Sequence, residues 1–323
     1  MRQRAFITGI NGFAGRWLAR ELAGQGFEVA GLMRPGTDAA GFPELGQARL
    51  FVGDLLDQPR LADHLATTRP NRVYHLAAAA NAAQAEAKND ETFEINLLGT
   101  VRLLEAVRSS CRSARVLVVS SGAVYGDAGG DRPIDESIAP LPTGVYSASK
   151  LAAEEAARAA VRDDGLHVVI VRPFNHTGPG QASDYVAADF ARQCAAIARA
   201  AQPPRITAGN VDVVRDFSDV RDVVRAYHLA LERGDCGATY NVASGRGLRL
   251  RDIIETLAAF TGRTVEISVD PGRLRARDVP KIIGSAARLQ AAAAWSPRLP
   301  FERTLRDLFD HWSAVDAAGR SHR

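Results

Sequence analysis

Cysteine is scarce in this 323-residue chain, and the three present, Cys111, Cys194 and Cys236, are widely spaced and odd in number. They can form neither a disulfide framework nor a close-set zinc site, and are expected to be buried thiols in a reducing cytoplasm. The seven histidines contain no HxH or HxxxH pairing, so no metal site is expected. No stretch approaches the roughly 20 consecutive apolar residues of a membrane span. The opening MRQRAFITG runs into a glycine-rich turn and not into a small-residue cleavage site, so neither membrane insertion nor secretion is expected. Forty Lys plus Arg against 37 Asp plus Glu leave a net charge of +3 with no block of one sign; nucleic acid is not an expected partner. Repeats and low-complexity segments are also missing, and the abundant alanine reads as helix propensity.

What remains is a soluble globular composition, 46% hydrophobic and 24% charged, with about two domains' worth of length. Short β-rich runs alternate with longer runs at helical period through the first half, the pattern of a parallel sheet wrapped by helices. Strands are expected at Ala5–Thr8, Glu28–Met33, Ala48–Val52, Arg72–Leu76, Arg115–Ser120 and His167–Arg172. Helices are expected at Ala14–Gln25, Arg60–Thr67, Asp90–Cys111 and Tyr146–Arg162. The fold class is therefore α/β, a Rossmann-type doubly wound parallel sheet that binds ligands at the carboxyl ends of its strands. The run Pro173-Phe-Asn-His-Thr-Gly-Pro-Gly180 is too rich in Gly and Pro for a regular element and marks a boundary. Residues 1–172, completed by parts of 219–248, would form the first domain, and 173–323 a smaller α/β substrate-binding domain. The second half should hold a helix near Val186–Arg199, a strand pair Arg205–Ala208 and Arg215–Ser218, and helices Val220–Glu232 and Leu250–Thr261 packing partly back on the first domain.

The first strand leads directly into Thr8-Gly-Ile-Asn-Gly-Phe-Ala-Gly15. Gly9 permits a sharp turn, Gly12 lets the backbone approach a pyrophosphate, and Gly15 seats the helix close to the sheet, whose amino end favours phosphate. The second strand ends Gly31-Leu-Met-Arg34, where an acid would mark NAD(H). Arg34 suits a 2′-phosphate, so NADP(H) is favoured and NAD(H) stays possible. Asp54, after the third strand, could accept from an adenine amino group or cap the helix before Gln58. Tyr146-Ser-Ala-Ser-Lys150 places a phenol and an ammonium on one helical face, and Ser121 closes the fifth strand. Ser121 can hydrogen-bond a reacting oxygen while Tyr146 exchanges a proton, with Lys150 holding down the phenol pKa.

With these motifs, with His75-Leu-Ala-Ala78, Asn96 and Arg172-Pro173, the chain resembles the extended short-chain dehydrogenase/reductase family over nearly its whole length. The resemblance implies Ser121, Tyr146 and Lys150 as catalytic residues. It implies cofactor contacts at Gly9, Asn11, Gly12, Phe13, Gly15, Arg34, Asp54, Leu55, Leu76, Ala77, Ala78, Asn96, Tyr146, Lys150 and Pro173. The second-half stretches RPFNHTGPGQ, GNVDVVRDFSDVRD and LRARDVP look most like the family's GDP-sugar 4-ketoreductases. That implies a GDP-bound 4-keto-6-deoxy-D-mannose reduced to GDP-D-rhamnose, with Ser121, Asn175, Arg215, Arg275 and Asp278 on the substrate. Family dehydratases carry a carboxylate between the Ser or Thr and the Tyr-Gly pair. Here Gly122-Ala123-Val124 stands, which argues against a dehydratase. Asn81 and alanines stand where relatives offer Ser or Lys to the sugar, and Ala276 and Asp278 replace a Pro and a Glu. A nucleotide-sugar 4-epimerase retaining NAD, and a catalytically silent cofactor sensor, are the alternatives. The family also implies a homodimer through a four-helix bundle; Leu103, Val107, Ala156 and Ala160 are apolar positions on those helices that could serve it, but covering the sheet is expected to account for most of them.

Overall fold

The computed structural model describes residues 3–80, 82–128, 130, 132–274 and 278–317. Seven parallel strands form the main sheet: β1 (Arg4–Thr8), β2 (Glu28–Met33), β3 (Arg49–Val52), β4 (Arg72–His75), β5 (Arg115–Val119), β6 (His167–Pro173) and β10 (Thr239–Val242). Their order is β10-β6-β5-β4-β1-β2-β3, so the winding reverses between β1 and β4 and opens a crevice at the strand ends there. The inner strands read as continuous apolar runs because both faces are covered. Alternation still sorts them: Ala5 and Ile7 face one core, Phe6 the other.

On the first face pack α1 (Phe13–Gly24) and α8 (Val220–Arg233), through Leu18, Leu22, Val220, Val224 and Tyr227, with Trp295. On the second lie α2 (Gln58–Thr68), α5 (Gly99–Ser110) and α6 (Val145–Asp164), around Leu61, Leu65 and Ala157. Of the four apolar positions that could serve a dimer face, Leu103, Val107 and Ala160 are buried in this core, while Ala156 is half-buried. Covering the sheet explains them, each large side chain contributing about 1.5–3 kcal/mol by burial.

The six expected strands are present to within a residue or two, and the seventh, β10, lies in the 219–248 segment. The single helix expected over Asp90–Cys111 is instead α4 (Asn89–Phe93), a π-helical turn Glu94–Leu98, and α5; α3 (Ala82–Ala87) precedes them. Such widened turns concentrate at functional sites.

The remaining elements are β7 (Asn175–Thr177), α7 (Val186–Ala198), β8 (Arg205–Ala208), β9 (Val214–Asp219), β11 (Gly247–Arg249), α9 (Leu250–Ala259), β12 (Glu266–Val269), β13 (Lys281–Ile282), α10 (Ala287–Ala293) and α11 (Phe301–Ala317). The expected pairing of Arg205–Ala208 with Arg215–Ser218 does not form. β8 pairs with β12, and β9 with β7, β11 and β13. Of the two helices expected to return to the main sheet, only α8 does. α9 packs with α7 and α11 around Phe190, Ile253, Leu257 and Leu308. Among the three thiols Cys194 is buried, Cys111 half-buried and Cys236 exposed, which corrects the expectation that all are buried.

Helix α1 also holds the glycine-proline passage. Arg16 donates to the Gly180 carbonyl at 2.9 Å and the Trp17 indole to that of Pro179 at 3.1 Å, while Phe13 stacks on His176. The turn after β1 and the segment bearing Asn175 are therefore fastened to one helix.

Candidate active site

The turn after β1 is shaped for a ligand that needs bare backbone. Gly9 has φ +71°, and a Cβ there would stand 2.9 Å from the Ala77 backbone. A Cβ on Gly15 would come within 2.2 Å of the Gly9 carbonyl oxygen, so the close seat of α1 requires glycine. Gly12 caps α1 without a side chain, leaving the first-turn amides without a side-chain cap, with Asn11 and Phe13 half-buried beside them. A bare-backbone turn opening on an uncapped helix end fits the pyrophosphate of a dinucleotide.

Arg34 follows β2 and is exposed. The Gly53 amide donates to the Met33 carbonyl at 3.0 Å, which brings the ends of β2 and β3, and hence Arg34 and Asp54, side by side. Asp54 does not cap the following helix: its carboxylate accepts from the Leu56 amide at 2.9 Å, and Asp57 caps α2 through the Arg60 amide. Leu55, expected to touch the cofactor, is buried against Gly99.

Beyond β4 the loop Leu76, Ala77, Ala78 is half-buried, and a hydrogen-bonded chain sets its position. Thr100 donates to the Asn96 carbonyl at 2.6 Å, so its oxygen accepts from His75 Nε2 at 3.0 Å. His75 Nδ1 then accepts from Thr8 Oγ1 at 2.7 Å, and that oxygen accepts from the Ala77 amide at 3.3 Å. Burial, with the charge of Lys150 adding to it, pushes the His75 pKa down to about 3, so the ring is a neutral structural link. Asn96, expected to bind cofactor, has its amide occupied by the protein. Oδ1 accepts from the Ala79 amide at 2.8 Å, and Nδ2 donates to Ser149 Oγ at 2.9 Å and the Ala79 carbonyl at 3.3 Å. The π-helical turn carries this side chain inward, where it ties the loop to α6.

Ser121, Tyr146 and Lys150 come together at the end of β5. Ser121 caps the one-turn helix Gly122–Tyr125, its Oγ accepting from the Ala123 amide at 3.1 Å, and its hydroxyl faces the Tyr146 phenol closely enough to act on its pKa. Burial raises the phenol pKa and the Ser121 hydroxyl opposes it, so Tyr146 keeps its proton near neutrality. Lys150, expected to hold that pKa down, is tied to the strand end. The ammonium donates to the Val119 carbonyl at 2.6 Å, and burial pulls its own pKa down to about 8. Tyr185, which the motifs did not single out, adds a second phenol within electrostatic range of Tyr146. Pro173 ends β6 and is buried.

The residues expected on the substrate divide. Asn175 is exposed on β7, in register with Phe217 of β9. Arg215 and Asp278 form an ion pair at 2.8 Å, so in this structure they neutralise one another. Arg275 and Asn81 lie outside the described residues, as does Ala276. Among the described residues there is no cluster able to hold a metal ion, and no helix long and apolar enough to cross a membrane.

Residues 6–308 match the family model for GDP-mannose 4,6 dehydratase. GDP-6-deoxy-D-mannose reductase from Pseudomonas aeruginosa is 38% identical, the alignment spanning 97% of this chain and 98% of that protein. The solved structure of RMD from Pseudomonas aeruginosa complexed with NADPH superimposes with a TM-score of 0.84 at 36% identity, over 97% of this chain and 99% of that one. UDP-glucose 4-epimerase from Thermus thermophilus, complexed with NAD, gives 0.85 at 30% identity, over 96% and 99%. Likeness of this extent along the whole length makes the chain a member of the GDP-mannose 4,6 dehydratase family within the extended short-chain dehydrogenases/reductases.

Proposed function

We propose that the protein is an NADPH-dependent 4-ketoreductase of a nucleotide-bound 6-deoxyhexose, converting GDP-4-keto-6-deoxy-D-mannose to GDP-D-rhamnose. One observation carries the reading. Ser121, Tyr146 and Lys150 are all present at the end of β5, while the helix that Ser121 opens, Gly122-Ala-Val-Tyr125, offers no carboxylate to remove a ring proton. The 38% identity to a GDP-6-deoxy-D-mannose reductase supports the substrate class.

The cofactor would lie across the first domain, residues 1–172 with parts of 219–248, and the sugar nucleotide against 173–323. The turn Gly9–Gly15 would hold its pyrophosphate, Arg34 its 2′-phosphate, and the loop Leu76–Ala78 with Lys150 its nicotinamide half. When bound, NADPH supplies the hydride. Ser121 donates a hydrogen bond to the keto oxygen, and Tyr146, still protonated, delivers its proton to that oxygen. Asn175, Arg215, Arg275 and Asp278 would take the nucleotide diphosphate and ribose, which requires the Arg215–Asp278 pair to open or to be bridged.

The direct test follows absorbance of the reduced nicotinamide with GDP-4-keto-6-deoxy-D-mannose. Oxidation of NADPH is expected, and none by a folded protein would overturn the proposal. Interconversion of UDP-hexoses without net redox would establish a 4-epimerase instead. In the same assay Arg34→Ala should raise the KM for NADPH about tenfold or more and leave that for NADH nearly unchanged, because only NADPH offers the extra phosphate. An equal effect on both cofactors would remove Arg34 from that role.

For assembly, the reading is a homodimer through α4–α5 and α6. Phe93 and Leu98, 36% and 45% exposed, are apolar positions on that run left open to solvent. Light scattering should return twice the 34.6 kDa chain mass; a monomer at micromolar concentration would refute it.

A further inference from the structure

Glu154 is a fully buried carboxylate, 0% exposed, that the reaction proposed above does not use. Four donors converge on it. Oε1 accepts from Ser120 Oγ at 2.6 Å and Arg172 Nε at 2.8 Å; Oε2 accepts from Arg172 Nη2 and Arg158 Nη2, each at 2.7 Å. A buried ion pair is costly to desolvate and is by itself weak evidence of stabilisation, so its placement calls for another reason.

The placement is regular. Tyr146, Lys150 and Glu154 stand at i, i+4 and i+8 on α6, hence on one face. They face three consecutive residues at the end of β5: Tyr146 lies opposite Ser121, Lys150 bonds the Val119 carbonyl, and Glu154 bonds Ser120. The other side of the network reaches the far end of the helix that Ser121 caps. Arg172 donates to the Tyr125 hydroxyl at 2.8 Å and lies 4.8 Å over that ring, and Tyr125 donates to Asn241 at 2.8 Å.

We propose that Glu154 is a positioning residue of the reducing site: it clamps the end of β5 to α6 through Ser120 and Arg172, and it supplies the counter-charge to Lys150. The proposal rests on the ketoreductase reading for its kinetic consequence, and on the geometry alone for the clamp. The charged and titratable groups around Lys150 are Tyr146 and Glu154 on its own helix, neutral His75 on β4, and, beyond the carboxylate, Arg172 on β6 and Arg158. Of these Glu154 is the acid that favours the ammonium, against the burial that disfavours it. Removing its charge therefore lets Lys150 lose its proton at lower pH.

The chain has three lysines, Lys88, Lys150 and Lys281, the first and last exposed. Lysine labelled at 13Cε thus gives three resonances, with Lys150 assigned through Lys150→Arg. In the ligand-free Glu154→Gln protein the Lys150 titration should move down by about one pH unit or more. With NADPH and the GDP-keto sugar, kcat at pH 8 should fall about tenfold, its alkaline limb should move the same way, and the KM for the sugar should stay within about twofold. Glu154→Gln leaves Arg172 unpaired, so the double variant Glu154→Gln/Arg172→Met serves where the single one folds poorly; it should show the same reduced kcat and a smaller downward Lys150 titration, because losing the Arg172 charge works against losing the carboxylate. An unmoved Lys150 titration in folded Glu154→Gln, full kcat in either folded variant, or a kcat loss that follows only a drop in thermal stability, would overturn the proposal. Absence of turnover in the wild-type enzyme would refute the ketoreductase reading instead, and the titration would still decide the role of Glu154.

Discussion

Tyr146→Phe is expected to lower kcat by about 10²–10⁴-fold, the range for losing a positioned proton donor, while the affinity for NADPH stays within about twofold. The size follows from the state of the phenol. It is packed at the start of α6, burial raises its pKa, and the Ser121 hydroxyl only partly offsets that. Phenylalanine fills the same space, so the fold and the glycine turn are untouched and the proton alone is missing. Stopped-flow oxidation of NADPH by the variant, beside a fluorescence titration of the cofactor, separates the two quantities. Turnover near the wild-type rate would pass the acid role to another group, and Tyr185 would be the first to test.

Gly15→Ala is the second large effect, and it acts on binding. The added methyl would lie 2.2 Å from the Gly9 oxygen and 2.8 Å from that of Ile10, both backbone atoms that no side-chain rotation can clear. Either α1 moves off the sheet or the turn opens, and both spoil the cradle. The NADPH dissociation constant should rise about 100-fold, roughly 2.7 kcal/mol, and stability should fall by about 1–3 kcal/mol from overpacking. Gly24→Ala in the same helix is the control, because a Cβ there meets nothing within 4 Å. It should leave cofactor binding unchanged and melt no lower than wild type. Equal behaviour of the two variants in a titration and a thermal melt would show that the close seat of α1 is dispensable.

Where a feature depends on a few neighbouring residues, it could be read directly. The runs that become β2 and β6 are apolar and bounded by turn residues; Gly9 to Gly15 turns on backbone freedom; Tyr146 and Lys150 share a face because a helix repeats every 3.6 residues. Where a feature depends on which distant segments meet, local pattern failed. Arg205–Ala208 and Arg215–Ser218 read as a strand pair, but each finds its partners elsewhere. Asp54 reads as a candidate cap for the helix before Gln58, but the backbone puts Asp57, which local pattern did not single out, at the helix end. Asn96 enters as a cofactor contact through the family resemblance; only the packed π-helical turn shows that Ala79 and Ser149 occupy its amide.

The sequence by itself determined the sheet class, the glycine turn after β1 and the candidate set Ser121, Tyr146 and Lys150, because backbone freedom, hydrophobic period and reactive side chains are properties of short stretches. Only the tertiary structure decided what surrounds them: His75 neutral between two threonines, Arg215 paired with Asp278, and Glu154 joined to Ser120 and Arg172 beneath Lys150. The physical reason is that charge states and hydrogen-bond partners in a low-dielectric interior are set by groups tens of residues away in the chain, which folding alone brings within bonding distance.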